Sequence, residues 1–283
     1  MWVANEWKDY ECIDTSNGEK LEKWGNIILQ RPDPQVIWDT KALPEMWKKA
    51  DAHYHRSSSG GGKWEYKKTI PEQWQVRYKN LTFNIKPMGF KHTGLFPEQA
   101  VNWDYMASKL RERKGAKVLN LFAYTGGATV ACAAAGGVVT HVDASKGMVQ
   151  WAKENARSSG LGEAPIRYLV DDCMKFVERE IRRGNHYDAI IMDPPSYGRG
   201  PGGEVWKIEE SICAFVRRCA LLLSDNPIFF IINSYTTGLA PTVLSNLMKM
   251  CLPDGKIESS EIGVNITASS MVLPCGATAR WEK

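Results

Sequence analysis

The chain has 283 residues, 43% of them hydrophobic, and 36 basic against 32 acidic side chains leave a formal net charge of +4. That supports one large domain, or a domain with an appendage, and a charge this mild permits a nucleic-acid partner without demanding one. No run approaches the ~18 apolar residues of a membrane span, and Met1-Trp2-Val3-Ala4-Asn5-Glu6 has no signal-peptide character. The seven cysteines, without C-x-x-C spacing, read as free thiols in a reducing cytoplasm.

Residues 1–84 differ in character from the rest of the chain. Seven of the 11 tryptophans lie there, at Trp2, Trp7, Trp24, Trp38, Trp47, Trp64 and Trp74. Short β-prone stretches such as 25–30 and 74–78 are divided by Pro and Gly turns, which predicts a small β-rich module. Its aromatics suit either base stacking or a compact aromatic core, and packing is the commoner use. Ser57-Ser58-Ser59-Gly60-Gly61-Gly62 reads as a flexible loop. His53-x-His55 reads as a surface loop pair; the five histidines show no ligand pattern, so no metal is expected. Basic pairs such as Lys48-Lys49 and Arg182-Arg183 read as solvated faces.

From residue 85 onward, strands and helices alternate. Lys117-Val118-Leu119-Asn120-Leu121-Phe122 is an apolar run of the kind buried in a parallel sheet. It leads into Ala123-Tyr124-Thr125-Gly126-Gly127, where paired glycines let backbone approach a ligand and a helix start close to the sheet. After the helix 128–135, the strand 138–142 ends at Asp143, where an acid suits the hydroxyls of a ribose. A helix over 146–158 precedes the strand 166–170, which ends in Asp171-Asp172-Cys173. The run 187–192 then ends in Asp193-Pro194-Pro195-Ser196-Tyr197. Prolines lack N–H groups, so this turn presents carbonyls and a carboxylate, a surface suited to a donor such as a nucleobase amino group.

The segment Gly198-Arg199-Gly200-Pro201-Gly202-Gly203 comes next, and its position beside the presumed chemistry suggests a loop that closes over substrate. Its cation, Arg199, is suited to a phosphate. A helix over 208–223 and a strand over 228–232 succeed it. The stretches 256–264 and 277–281 should be closing strands, antiparallel at the sheet edge.

No one of these signals is specific, but the ordered set is: glycine turn, Asp143, Asp172, then Asp-Pro-Pro. In these segments the chain resembles the class I S-adenosylmethionine-dependent methyltransferases. It is most similar to the ribosomal RNA methyltransferases that modify large-subunit cytosine C5 or guanine N7. The resemblance rests on 119–127, Val142-Asp143-Ala144-Ser145, 171–176 and 192–195. A further likeness lies at Lys91-His92-Thr93-Gly94-Leu95-Phe96-Pro97-Glu98-Gln99. It covers roughly residues 85–240.

It implies an α/β fold: a Rossmann-like methyltransferase sheet, mostly parallel with an antiparallel edge strand, over 85–283 and a β-rich module over 1–84. It implies S-adenosyl-L-methionine as cofactor. Gly126 and Gly127 would flank its methionine end, with Phe122 and Tyr124 lining the pocket, Asp143 holding the ribose and Asp172 the adenine amino group. Gln99, Asn120, Thr125, Ala144, Cys173 and Asp193 complete the implied cofactor set. Asp193, Pro194, Pro195 and Tyr197 would face the methyl-accepting base, with Ser196 and Arg199 on the substrate. The implied partner is RNA, ribosomal by preference, in the cytoplasm and away from membranes; a homodimer is compatible.

The family's 5-methylcytosine members add a thiolate to the base. Here the turn after the fifth strand reads Asn233-Ser234-Tyr235-Thr236-Thr237-Gly238 and 193–197 also lacks cysteine, so non-covalent chemistry is expected. Other readings remain open: a protein or small-molecule methyltransferase, or a non-catalytic nucleoside- or RNA-binding module. A nicotinamide oxidoreductase is disfavoured, because nothing resembles a hydride-transfer acid.

Overall fold

The computed structural model describes residues 1–57, 61–199 and 205–283, Arg199 by its backbone only. Contacts divide the chain into two compact units. One comprises Met1–Trp2, Val101–Ile262 and Gly276–Lys283; the other comprises Val3–Ala100 and Gly263–Cys275. This differs from the expected division between residues 84 and 85. The stretch up to Ala100 groups with the amino-terminal module, and a distant segment returns to it. There Ile266 pairs with Cys12 in parallel, and Thr267 and Ala268 donate their N–H groups to the carbonyls of Cys12 and Ile13. A pairing so remote along the chain leaves no local pattern to read.

The larger unit alternates as expected. Its elements are α1 (Ala100–Glu112), β1 (Lys117–Leu121), α2 (Gly127–Ala134), β2 (Val138–Asp143), α3 (Lys146–Ser158), β3 (Ile166–Val170) and α4 (Cys173–Arg183). Then come β4 (Ala189–Met192), α5 (Ile208–Ala220), β5 (Phe229–Ser234), α6 (Pro241–Cys251), β6 (Lys256–Ile266) and β7 (Met271–Glu282), the last two shared with the smaller unit over Gly263–Ile266 and Met271–Cys275. The strand order is β3-β2-β1-β4-β5-β7-β6. The first five run parallel and β7 antiparallel to β5, with Phe229 opposite Glu282. β7 is therefore antiparallel as expected, but these strands are not the sheet edge, because β6 pairs on through Ile266 with Tyr10–Ser16.

Every residue of β4 and β5 is buried, which explains why both read as unbroken apolar runs. Leu119, Leu121, Val142, Ile190, Met192, Phe230, Ile232 and Trp281 are among the sheet's contributions to one core, against Phe176 of α4, Phe215 of α5 and Met248 of α6. β4 is shorter than its apolar run because Asp188 anchors the amino end of the sheet. Its carboxylate accepts from Arg113, Ser224 and the Lys117 N–H, each at 2.8 Å. The order reverses between β1 and β4, so a crevice forms there at the carboxyl ends of the strands.

The smaller unit carries the strands Tyr10–Ser16, Glu19–Trp24, Ile27–Pro32, Ala52–Arg56 and Gly62–Tyr66, side by side in that order, and a separate hairpin of Trp74–Tyr78 with Leu81–Ile85. His53 and His55 lie within a strand and not in the loop that the sequence suggested. The tryptophans are spent on packing. The indole N–H groups of Trp7, Trp38, Trp47, Trp64 and Trp74 donate to protein acceptors, and Trp24 and Trp47 are buried. Inside the unit, the buried Glu22 carboxylate accepts from both Nε and NH2 of Arg31, at 2.6 and 2.9 Å, and from Tyr10 Oη at 2.7 Å. Burial alone would raise the Glu22 carboxyl, but Arg31 and Lys20 hold it at about 2. Among the described residues no helix is long and apolar enough to cross a membrane.

Candidate active site

Three strand ends of the larger unit supply the site. The loop after β1 alternates left-handed residues: φ is 54° at Phe122, 50° at Tyr124 and 81° at Gly126. Two of these are bulky L-residues, for which that region costs about 1–2 kcal/mol each. Neighbouring elements hold them there. The Phe122 N–H meets Cys173 Sγ at 3.3 Å, the Ala123 N–H donates to the Val142 carbonyl at 3.1 Å, and the Tyr124 N–H donates to Asp143 Oδ2 at 2.8 Å. Asn155 of α3, fully buried, donates to the Thr125 carbonyl at 2.8 Å. Backbone this firmly over-determined is a mark of functional loops.

The paired glycines are required by space as well as by φ. A Cβ on Gly126 would lie 2.8 Å from Ala152 Cβ, and one on Gly127 2.8 Å from Trp103 Cζ2. The loop thus lies directly on α3, and α2 starts directly over the Trp103 ring, with their N–H groups at the crevice end of the sheet.

Asp143 ends β2 half-buried. Its Oδ2 takes the Tyr124 N–H and its Oδ1 the Ser145 N–H, both at 2.8 Å. Burial raises its carboxyl above the usual range against the pull of those two bonds. Each oxygen retains acceptor capacity, and their spacing suits a vicinal diol. Ala144 is exposed in the same turn. Asp172 caps α4, its Oδ1 accepting from the Lys175 N–H at 2.8 Å, while Asp171 is paired with Arg179.

Asn120 and Cys173 are buried within the larger unit, and Gln99 belongs to the other. Asn120 is buried and donates to Thr129 Oγ1 at 2.9 Å, which in turn meets His141 Nδ1 at 2.9 Å. Burial pushes His141 down to about 3, so it is a neutral imidazole. Cys173 is buried under the loop, where burial raises its thiol far above the range of a nucleophile. Gln99 ends the short helix Pro97–Gln99 and is buried in the other unit.

At the end of β4, Asp193 is half-buried, Pro194 buried, and Pro195, Ser196 and Tyr197 exposed. Two of the turn's carbonyls are used internally: Pro195 accepts from Trp206 Nε1 at 2.6 Å and Ser196 from the Ile208 N–H at 3.1 Å. Ser196 Oγ also meets Thr236 Oγ1 at 2.6 Å, which joins this turn to the one after β5. Tyr197–Arg199 pairs antiparallel with Val205–Lys207. Most of the expected closing segment, residues 200–203, and the Arg199 side chain lie outside the described residues.

Sequence reasoning missed Trp206. Its ring packs 5.7 Å from Phe122 and 5.8 Å from Phe215, so one side chain touches both the β1 loop and the Asp-Pro-Pro turn. The usable signal was two β-prone triplets, 197–199 and 205–207, flanking a Gly/Pro-rich link.

Asp143→Ala is expected to weaken binding of a nucleoside ligand by roughly 1.5–3 kcal/mol, the worth of hydrogen bonds to a charged acceptor. Calorimetry on wild type and variant reads it, and equal affinities refute the role. Protonation turns one carboxylate oxygen into a donor. Affinity should therefore fall with pH, starting above the usual carboxylate range because the group is raised.

Residues 49–244 match a family model described as S-adenosylmethionine-dependent methyltransferase. Among solved structures, the SAM-dependent methyltransferase from Agrobacterium tumefaciens superposes with a TM-score of 0.94 at 35% identity, covering 99% of this chain and 92% of that one. A methyltransferase-type structure complexed with SAH has a TM-score of 0.75 at 18% identity, covering 98% and 76%, and shares the fold. The ribosomal RNA large subunit methyltransferase K/L of Shewanella frigidimarina is 30% identical over 195 residues, 65% of this chain and 26% of the relative. The chain spans about a quarter of the length of the curated relatives it matches.

Proposed function

The chain belongs to the S-adenosylmethionine-dependent methyltransferase family, and from that premise we propose that it methylates a nucleobase of ribosomal RNA without a covalent enzyme intermediate. The observation that carries the proposal is the placing of the Asp193-Pro194-Pro195 turn at the end of β4, beside the strained β1 loop at the switch point of the sheet. Support for the substrate class comes from relatives named for ribosomal RNA methylation.

The cradle fits the cofactor. Asp143 offers two carboxylate oxygens pinned by backbone N–H groups, and Gly126 and Gly127 let the loop lie close against Ala152 and Trp103. When bound, S-adenosylmethionine supplies a methyl group already activated by its sulfonium. The protein's task is then alignment. Asp143 would orient the ribose, Asp172 with its remaining oxygen the adenine edge, and Phe122, Tyr124 and Thr125 the pocket wall. Asp193 would accept a hydrogen bond from the base and take up the proton released from its nitrogen. Tyr197, 51% exposed, would stack on the base. Ser196 would contact the RNA strand.

Transfer of labelled methyl groups from S-adenosylmethionine to purified ribosomal RNA, with mass mapping of the product, tests this reading. Label confined to protein or to small molecules overturns the substrate class.

The absence of a covalent step has its own test. Cys12, Cys132, Cys173 and Cys219 are buried, and Cys213, Cys251 and Cys275 half-buried. Replacing each in turn by Ser should leave kcat intact once loss of fold is corrected for. A stable protein–RNA adduct on 5-fluorocytosine-containing RNA would refute non-covalent transfer.

A further inference from the structure

We propose that His53, His55 and Glu65 form a binding site for a first-row divalent cation, zinc foremost, on the smaller unit. His53 and His55 stand two apart on the strand Ala52–Arg56 and so project from the same face of the sheet. Glu65 is the residue directly opposite His53 on the antiparallel strand Gly62–Tyr66. One nitrogen of each imidazole and one carboxylate oxygen of Glu65 all lie within 4.8 Å of one another. The two rings are 3.9 Å apart between centroids.

The chemistry suits a borderline cation. Imidazole and carboxylate together favour zinc among the metals that bind at three protein ligands with one position left for water. Zinc–ligand bonds of about 2.0–2.2 Å place tetrahedral ligands roughly 3.3 Å apart, so closing the cluster needs only small torsions of the exposed His55 and Glu65. The orientation is already arranged. Glu19, two strands away in the sheet, holds His53 Nε2 at 2.6 Å, and Gln30 Nε2 of the strand between them donates to the other Glu19 oxygen at 2.5 Å. A carboxylate behind a histidine is the usual means of fixing a ligating imidazole and raising its basicity. Without a cation, the two imidazoles in contact are linked to the two carboxylates by the hydrogen bonds His53–Glu19 and His55–Glu65. With one, the ion joins the two strands of the 52–66 hairpin and neutralises the facing acids.

The site does not depend on the methyltransferase reading, since every residue in it belongs to the other unit. The test is titration of zinc chloride into the full chain in a buffer without chelators, followed by calorimetry and thermal melting. One zinc should bind per chain with micromolar affinity, and the melting midpoint should rise with zinc concentration. His55→Gln and Glu65→Gln, both at exposed positions, should weaken that binding at least tenfold and abolish the thermal response, with circular dichroism and S-adenosylhomocysteine binding unchanged. No stoichiometric binding in the wild type overturns the proposal. So does equal binding in both variants, which would place the ion on thiols elsewhere.

Discussion

Replacing Asp193 with alanine is expected to lower turnover by about two to four orders of magnitude, the range for loss of a positioned acid–base group. Cofactor affinity should stay close to that of the wild type. Asp193 follows β4, while the pinned carboxylate and the strained loop belong to β1 and β2, so the two functions fall on different strand ends. An interaction made mainly as the acceptor nitrogen loses its proton belongs to the transition state and appears in kcat. Asp193→Asn should recover part of the orientation but not the proton uptake, and its rate should depend less on pH than that of the wild type. Cofactor binding measured by calorimetry and single-turnover methylation separate the two effects. If Asp193→Ala lost cofactor binding but reacted normally at saturating cofactor, the residue would belong to the cofactor pocket.

Glu22→Ala is expected to destabilise the smaller unit by about 3–5 kcal/mol, the usual result of leaving a buried partner uncompensated. Arg31 would then keep its charge in the interior without a bidentate carboxylate, held by the Lys91 carbonyl at 2.9 Å and lying 5.5 Å from the centre of the Trp24 ring. Replacing both residues, as in Glu22→Leu with Arg31→Met, should restore much of the loss, since burying the pair is itself costly. The acid dependence has a definite sign. The Glu22 carboxyl is depressed in the folded chain, from 4.5 to about 2. Its contribution is therefore complete above 4.5 and drains away as pH falls toward 2. Denaturant unfolding at neutral pH and near pH ~3 measures both effects. A single variant as stable as wild type, or a pair whose loss is not relieved by the double substitution, would show that the ion pair carries no such weight.

The larger unit was legible because its central strands β4 and β5 are buried on both faces and its helices are punctuated. The helix 146–158 and the strand 166–170 were read to the residue, one bounded by Ser145 as N-cap and the other by an acidic pair. Asp143, Asp172 and Asp193 were legible for the same reason, since each ends an apolar run. Other features arise only in three dimensions. Nothing in Asn120 shows that its amide will be used by Thr129 inside the fold, because strand periodicity does not say which end of a side chain finds a partner. The return of 263–275 to the amino-terminal strands depends on contacts remote in sequence. His53 and His55 became neighbours on one face only once their segment proved to be a strand.

The left-handed conformations of Phe122 and Tyr124 bear on how this protein can evolve. Asparagine tolerates that region far better than an aromatic residue does. An exchange at either position would release strain that the present sequence holds in its resting state, and the chain should become more robust. A lineage selected for durability alone would drift toward such residues. Retaining two aromatics there sacrifices thermal reserve for a loop already shaped before its ligand arrives, the familiar opposition between stability and activity.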